Sequence, residues 1–236
     1  MHASSSKDLQ ELEKVLGYTF RDRALLVEAL THKSFHNERP EESTSYNERL
    51  EFLGDSVLGL IISEYLFRRF PEEDESRLAS LKGFLVKESV LFEIANMLSL
   101  GQYILLGKGE EQTGGRQKPS ILADCLEAII GGIFLDTGLS QAREVVLRLF
   151  KDKLNEVTSV DTILDPKSEL QKISIERYGT LPEYRIISEH GAEHKKVFTV
   201  NVYIRGDFFG TGTGRSKKDA QIEAARMACL LYTSDA

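Results

Sequence analysis

Only two cysteines occur in the 236 residues, and the chain has neither a long apolar run nor an excess of positive charge. Two thiols cannot build a disulfide framework. Cys125 and Cys229 both fall in helical apolar patterns, so buried free thiols are expected. No apolar stretch approaches the eighteen or so residues of a membrane span. The opening Met1-His2-Ala3-Ser4-Ser5-Ser6-Lys7-Asp8 has no apolar signal-peptide core, which predicts a cytoplasmic protein with no membrane partner. No His-Asp dipeptide occurs, and helical metal phosphohydrolases of another class would need one. The glycine-rich segment Gly210–Ser216 lacks the Gly-Lys-Ser/Thr ending of a phosphate loop. The glycines of 107–118 follow no strand and so form no dinucleotide fingerprint, and no nucleotide cofactor is expected.

The net charge of −7 argues against indiscriminate nucleic-acid binding. Its distribution is uneven. Residues 161–236 carry eleven basic and eleven acidic residues, so the whole deficit falls on 1–160. An acidic region that meets a polyanion needs metal ions and local basic patches. A balanced region must draw its attraction from a clustered stripe.

Four acids stand out in the acidic part. Glu51 and Asp55 are four apart in Asn47-Glu48-Arg49-Leu50-Glu51-Phe52-Leu53-Gly54-Asp55-Ser56, with Glu48 a turn earlier. Asp124 and Glu127 are three apart in Ile121-Leu122-Ala123-Asp124-Cys125-Leu126-Glu127-Ala128. Like charges at these spacings share a helix face and repel. No Lys or Arg stands three or four positions from any of the four, so a local helix salt bridge cannot explain them. Apolar neighbours make an unpaired carboxylate costly. The missing positive charge must come from elsewhere in the fold or from a metal. Oxygen-only ligands suit Mg2+, which can activate water in phosphodiester hydrolysis. One such pair would sooner belong to a structural ion-pair network; two apolar-embedded pairs favour the metal. His32 and His36, four apart, lack the further Cys or His ligands of a zinc site. Cys125 points about 100° away from Asp124, which favours packing over a nucleophilic role.

Helical spacing dominates 7–150, as in Leu9, Leu12, Leu16 and Leu25, Leu26, Ala29, Leu30. The pattern predicts helices over Glu48–Phe70, ended by Pro71, then Ser76–Val86 and Ser89–Leu98. Gly107–Lys118 predicts a mobile loop leading into a helix begun at Pro119-Ser120. Arg116 and Lys118 in that loop stand just before a candidate metal helix, and a solvated loop explains them equally well. A linker is expected over 157–163, separating domains at 1–156 and 164–236. The second domain reads α-β-β-β-α. Asp165 caps a helix to Tyr178; strands follow over Glu183–Ser188, around Phe198–Ile204 and over Phe208–Gly210. A two-residue turn is expected at Gly206-Asp207. Ser216-Lys217-Lys218-Asp219 opens the last helix, along which Ala220, Ala224 and Ala228 align.

At these residues the chain closely resembles bacterial ribonuclease III. Glu48-Arg49-Leu50-Glu51-Phe52-Leu53-Gly54-Asp55-Ser56 matches that family's signature, Leu30-Thr31-His32-Lys33-Ser34 an upstream element, and Pro119–Ala128 its second acidic motif. The C-terminal region resembles a double-stranded RNA-binding domain through Leu170-Gln171, Gly191–Lys196 and Gly212–Ala220. The resemblance implies an all-helical endonuclease domain followed by an α-β-β-β-α RNA-binding domain. It also implies a Mg2+-dependent endoribonuclease, with Mn2+ able to substitute, that leaves 5′-phosphate and 3′-hydroxyl ends on double-stranded RNA. The processing of ribosomal RNA precursors and other structured RNAs follows as its role. Glu51, Asp55, Asp124 and Glu127 are then metal ligands, with Asp55 and Glu127 the least replaceable. Glu48 and Glu75 match further acidic positions, assigned to a second metal, the RNA rim or a subunit contact. Family members are homodimers, which makes Phe52 the expected interface anchor. Gln171, His194, Lys195, Lys217 and Lys218 are the expected RNA contacts. Lys217 and Lys218 leave a helix N-terminus, where free N–H groups already favour phosphate. Such domains read A-form shape largely without sequence. A non-cutting relative would be expected to have lost one of the four acids, and all four are present.

Overall fold

The computed structural model describes residues 6–158, 166–191 and 196–233. The chain divides into two compact units, residues 1–160 and 161–236.

The first unit is helical. Its elements are α1 (Ser6–Leu16), α2 (Arg23–Leu30), α3 (Lys33–Glu38), α4 (Glu48–Arg69), α5 (Glu75–Leu85), α6 (Glu88–Met97), α7 (Lys108–Gln112), α8 (Pro119–Thr137), α9 (Leu139–Leu149) and α10 (Lys151–Thr158). Short 3-10 turns occupy Leu100–Gln102 and Gly115–Gln117. The core is built on the crossing of α4 with α8. Leu58, Ile61, Ile62 and Leu66 of α4 are fully buried, as are Leu126, Ile129 and Ile133 of α8. Helix ends follow local chemistry. Pro71 stands just beyond α4, and Pro119 occupies the first turn of α8, where its missing N–H costs nothing. Gly138 ends α8 at φ +85°, a conformation that favours glycine. Asp74 caps α5, its carboxylate accepting the Arg77 N–H at 2.8 Å.

The predicted helices from Glu48 to Leu98 agree with the structure to within a residue at either end. The predicted loop over 107–118 does not. It holds α7 and a 3-10 turn, because tertiary contacts supply the order that the sequence lacks locally. The Glu38 carboxylate accepts the N–H groups of Lys108 and Gly109 at 2.8 and 3.3 Å, capping α7 from a distant helix. Arg116 donates to the carbonyls of Gly101 and Ile104 at 2.9 and 2.8 Å and to Glu111 at 2.7 Å. Further on, α10 runs through Thr158 with Val157 buried, so the start of the expected linker is helical. Residues 159–163 and Asp165 lie outside the described residues.

In the second unit α11 (Pro166–Tyr178) precedes an antiparallel sheet ordered β1-β2-β3, formed by Glu183–His190, Val197–Ile204 and Asp207–Gly214. Helix α12 (Lys217–Thr233) packs on β2 and β3. Leu170, Val200, Val202, Ile204, Ala220, Ala224, Ala225, Ala228 and Cys229 form the core. The hairpin turn is Arg205-Gly206, at φ +54° and +89°, rather than Gly206-Asp207. Two positive φ values define the turn that matches strand twist. Strand β3 is also longer than expected. Its alternating Gly210, Gly212 and Gly214 face α12. A Cβ on Gly212 would lie 2.1 Å from the Ala224 nitrogen, so the strand must be bare on that side for the helix to seat.

Candidate functional site

Where α4 crosses α8, the backbones nearly touch. A Cβ on Gly54 would meet the Glu127 carbonyl oxygen at 1.8 Å, and one on Gly131 would meet the Leu50 carbonyl oxygen at 2.3 Å. Only glycine fits at such an approach. The consequence is chemical. Glu51 and Asp55, flanking Gly54 on one helix, are brought to Asp124 and Glu127 on the other.

Glu51, Asp124 and Glu127 each place a carboxylate oxygen within 4.8 Å of the others, all three half-buried. Asp55 lies one turn beyond Glu51, is exposed and falls outside this tight group. It is nevertheless the neighbouring charge that weighs most on Glu127. Burial, followed by the charges of Asp55, Asp124 and Glu51, pushes the Glu127 carboxyl up to about 8. Burial likewise raises Glu51, with Asp124 adding, and raises Asp124, with Glu88 adding. Among the described residues none of the four forms an ion pair or side-chain hydrogen bond. Such a group repels itself unless a proton or a cation neutralises part of its charge. Clustered carboxylate oxygens with no protein cation bonded to them fit a hard divalent ion.

Glu48 begins α4 and accepts a hydrogen bond from the Lys33 ammonium at 2.8 Å. Glu75 begins α5, is exposed and joins no carboxylate cluster among the described residues. Phe52 is 79% exposed and shares a face of α4 with Leu60 and Phe67, 55% and 71% exposed. His32 caps α3 through Nδ1, and His36 Nδ1 lies 2.8 Å from the Ser43 carbonyl, so neither joins the acids. Lys118 is tied to Glu110 and, at 3.1 Å, to Thr113. Cys125 is fully buried, its thiol aimed at the Ala29 carbonyl at 3.6 Å; burial pushes its pKa upward, which suits packing and not nucleophilic attack.

In the second unit Gln171 is exposed on α11, and Lys217 and Lys218 are exposed in the first turn of α12. Ser216 caps that helix, its hydroxyl accepting the Asp219 N–H at 3.1 Å. The Lys217 ammonium stands 5.8 Å from the centre of the Phe198 ring. His194 and Lys195 lie outside the described residues.

Sequence reasoning passed over Gly54 and Gly131 as parts of the site. The signal was present: a glycine inside a helix costs about 1 kcal/mol against alanine, and a close helix approach repays it.

Comparison with known proteins bears on both units. Residues 22–154 match the family described as Ribonuclease-III-like, and residues 166–232 match the double-stranded RNA binding motif. The proteins named Ribonuclease 3 of Syntrophotalea carbinolica and Syntrophobacter fumaroxidans are each 43% identical to this chain. The matches span 94% and 98% of this chain and 96% and 97% of theirs. A 2.2 Å crystal structure of the nuclease domain of Ribonuclease III from Campylobacter jejuni is 48% identical, with a TM-score of 0.57. The match covers 62% of this chain and 96% of that one. A second structure of that domain, described for flexibility in the region involved in dimer formation, gives the same score.

Proposed function

The chain belongs to the ribonuclease III family and is an endoribonuclease that hydrolyses double-stranded RNA with a divalent metal, and we propose that Glu51, Asp55, Asp124 and Glu127 hold that metal as Mg2+. The products carry 5′-phosphate and 3′-hydroxyl ends. Ribosomal RNA precursors and other structured RNAs, messenger RNAs among them, are the substrates that family membership supports.

The observation that carries the metal assignment is the group of half-buried carboxylates with no protein cation among them. A bound divalent ion supplies an activated water and stabilises the leaving oxygen. The chain's own work is to hold the acids in place. The close crossing of α4 and α8 holds Glu51, Asp124 and Glu127 together, and Asp55 stands exposed one turn beyond Glu51. Mn2+, another oxygen-binding ion, is expected to substitute.

Lys217 and Lys218 at the start of α12 face RNA phosphates, and Gln171 reaches a 2′-hydroxyl in the minor groove. His194 and Lys195 complete the assigned contacts. The exposed apolar face of Phe52, Leu60 and Phe67 supports a homodimer built on α4. Glu75 serves a second metal or that contact. The proposed division is a nuclease domain over 1–156, a linker over 157–163 that begins within the last turn of α10, and an RNA-binding domain over 164–236. Cytoplasmic location is supported by family membership, and among the described residues no helix is long and apolar enough to cross a membrane.

The test is cleavage of long double-stranded RNA, single-stranded RNA and duplex DNA, each with Mg2+ or with a chelator. Short RNA duplexes should appear only from double-stranded RNA with Mg2+. Equal cleavage of single strands, or cleavage with the chelator, would contradict the reading.

A further inference from the structure

Lys33 sits in a segment whose other members are committed to structure. The Asn47 N–H donates to the Thr31 carbonyl at 2.9 Å, and Thr31 is buried. The His32 N–H donates to the Leu105 carbonyl at 3.0 Å, and the Leu105 N–H to the Leu30 carbonyl at 2.8 Å. Ser34 accepts the Gly107 N–H at 2.9 Å through its hydroxyl, which also lies 2.8 Å from His32 Nδ1. These bonds pin the backbone at Lys33 to the start of α4 and to the segment ahead of α7. Its side chain, 57% exposed, reaches instead across to Glu48 at 2.8 Å.

That ion pair contributes little to stability. Both partners are largely in water, and such pairs are worth about 0–1 kcal/mol. Its position matters more. Lys33 is the cation whose charge acts on both Glu51 and Asp124. Glu51, Asp124 and Glu127 cluster, and the charges of Asp55, Glu48 and Glu88 bear on members of that group; an RNA phosphate that enters there meets a negative surplus that one divalent ion leaves uncancelled. Lys118, the lysine just ahead of α8, is held by Glu110 and Thr113. An ammonium in water with a single weak partner is free to exchange it.

We propose that Lys33 binds a non-bridging oxygen of the RNA phosphate seated at the carboxylate cluster, and that Glu48 positions the ammonium until the RNA arrives. No bond is made or broken by this pair; a hydrogen bond to Glu48 is exchanged for one to phosphate. The assignment rests on reading the carboxylate cluster as the cleavage centre. It gives Glu48 a role other than metal ligand.

The experiment uses the full chain under single-turnover conditions at saturating double-stranded RNA, with Mg2+ titrated. Wild type and Glu127→Gln test the underlying reading; if they cut equally fast, or neither cuts, that reading fails whatever Lys33 does. Given a normal baseline, Lys33→Gln should slow cleavage roughly 10- to 100-fold, the worth of a hydrogen bond to a charged group. Lys33→Arg should recover most of the rate, and the unfolding temperature should not move. The Mg2+ midpoint should stay or fall, because removing a cation leaves the carboxylates more negative. Glu48→Ala should cost less than Lys33→Gln, and the double variant should match Lys33→Gln alone to within about twofold, as expected when one residue acts through another. A Lys33→Gln rate within about twofold of wild type, or a loss that extra Mg2+ restores, would overturn the proposal.

Discussion

Gly54 and Gly131 lie against each other at the crossing of α4 and α8, where a Cβ on Gly54 would stand 3.0 Å from the Gly131 nitrogen and 1.8 Å from the Glu127 carbonyl oxygen. Gly54 therefore belongs to the acidic motif for a geometric reason. It lets two carboxylate-bearing helices approach closely enough for Glu51, Asp124 and Glu127 to place carboxylate oxygens within 4.8 Å of one another.

Gly54→Ala should consequently damage the fold and the site together. A methyl that close to backbone cannot be absorbed by a side-chain movement, and the helices must separate. Overpacking of this kind costs about 1–3 kcal/mol and occasionally more. Chemical denaturation should show a lowered midpoint, and the protein that remains folded should have lost most of its Mg2+-dependent activity. A variant with normal stability and cleavage would mean that the crossing is looser than described.

Much of this was legible in the sequence, and what was not shares one cause. The long helices, the two acidic pairs and the capped start of α12 depend on residues close in the chain. The order in 107–118 depends on Glu38 and on carbonyls at 101 and 104, which no local pattern reveals. Strand β3 runs on from the expected Gly210 to Gly214, because the bare side of its glycines admits α12. The Lys33–Glu48 pair joins residues fifteen apart and was equally invisible.

The raised Glu127 carboxyl predicts how stability depends on pH. Its pKa is about 8 in the folded protein against an ordinary 4.5, chiefly because of burial, so the folded state binds the proton more tightly than the unfolded one. Metal-free protein should therefore lose stability as pH rises from about 4.5 to about 8. Glu127→Gln, which cannot titrate there, should show a flatter profile. Added Mg2+ should stabilise the wild type more at pH 8 than at pH 6, since the ion displaces the proton. Thermal unfolding with and without Mg2+ across this range checks both statements; parallel wild-type and variant profiles would contradict them.

Lys217→Ala with Lys218→Ala should weaken binding to all duplex RNA sequences about equally. Each lysine lost is one phosphate fewer neutralised, so the slope of log affinity against log salt should fall by up to about 0.9 per contact, a B-DNA value carried over to RNA. Cleavage should drop at dilute RNA and recover at saturation. A rate defect that persists at saturation would place these lysines at the scissile bond.

Phe52→Asp should turn a dimer into a monomer in sedimentation experiments without unfolding it, because the ring is 79% exposed in the single chain. Unchanged dimerisation would move the interface away from this face of α4.

The most direct measurement is single-turnover cleavage of saturating double-stranded RNA by Glu127→Gln beside the wild type, with RNA binding measured on the same samples. The substitution keeps the shape of the side chain and removes a charge from the carboxylate cluster. Affinity for RNA should be nearly unchanged, while cleavage at ordinary Mg2+ should fall by orders of magnitude. Wild-type turnover by Glu127→Gln would remove Glu127 from the metal site and, with it, the reading of this cluster as the place where RNA is cut.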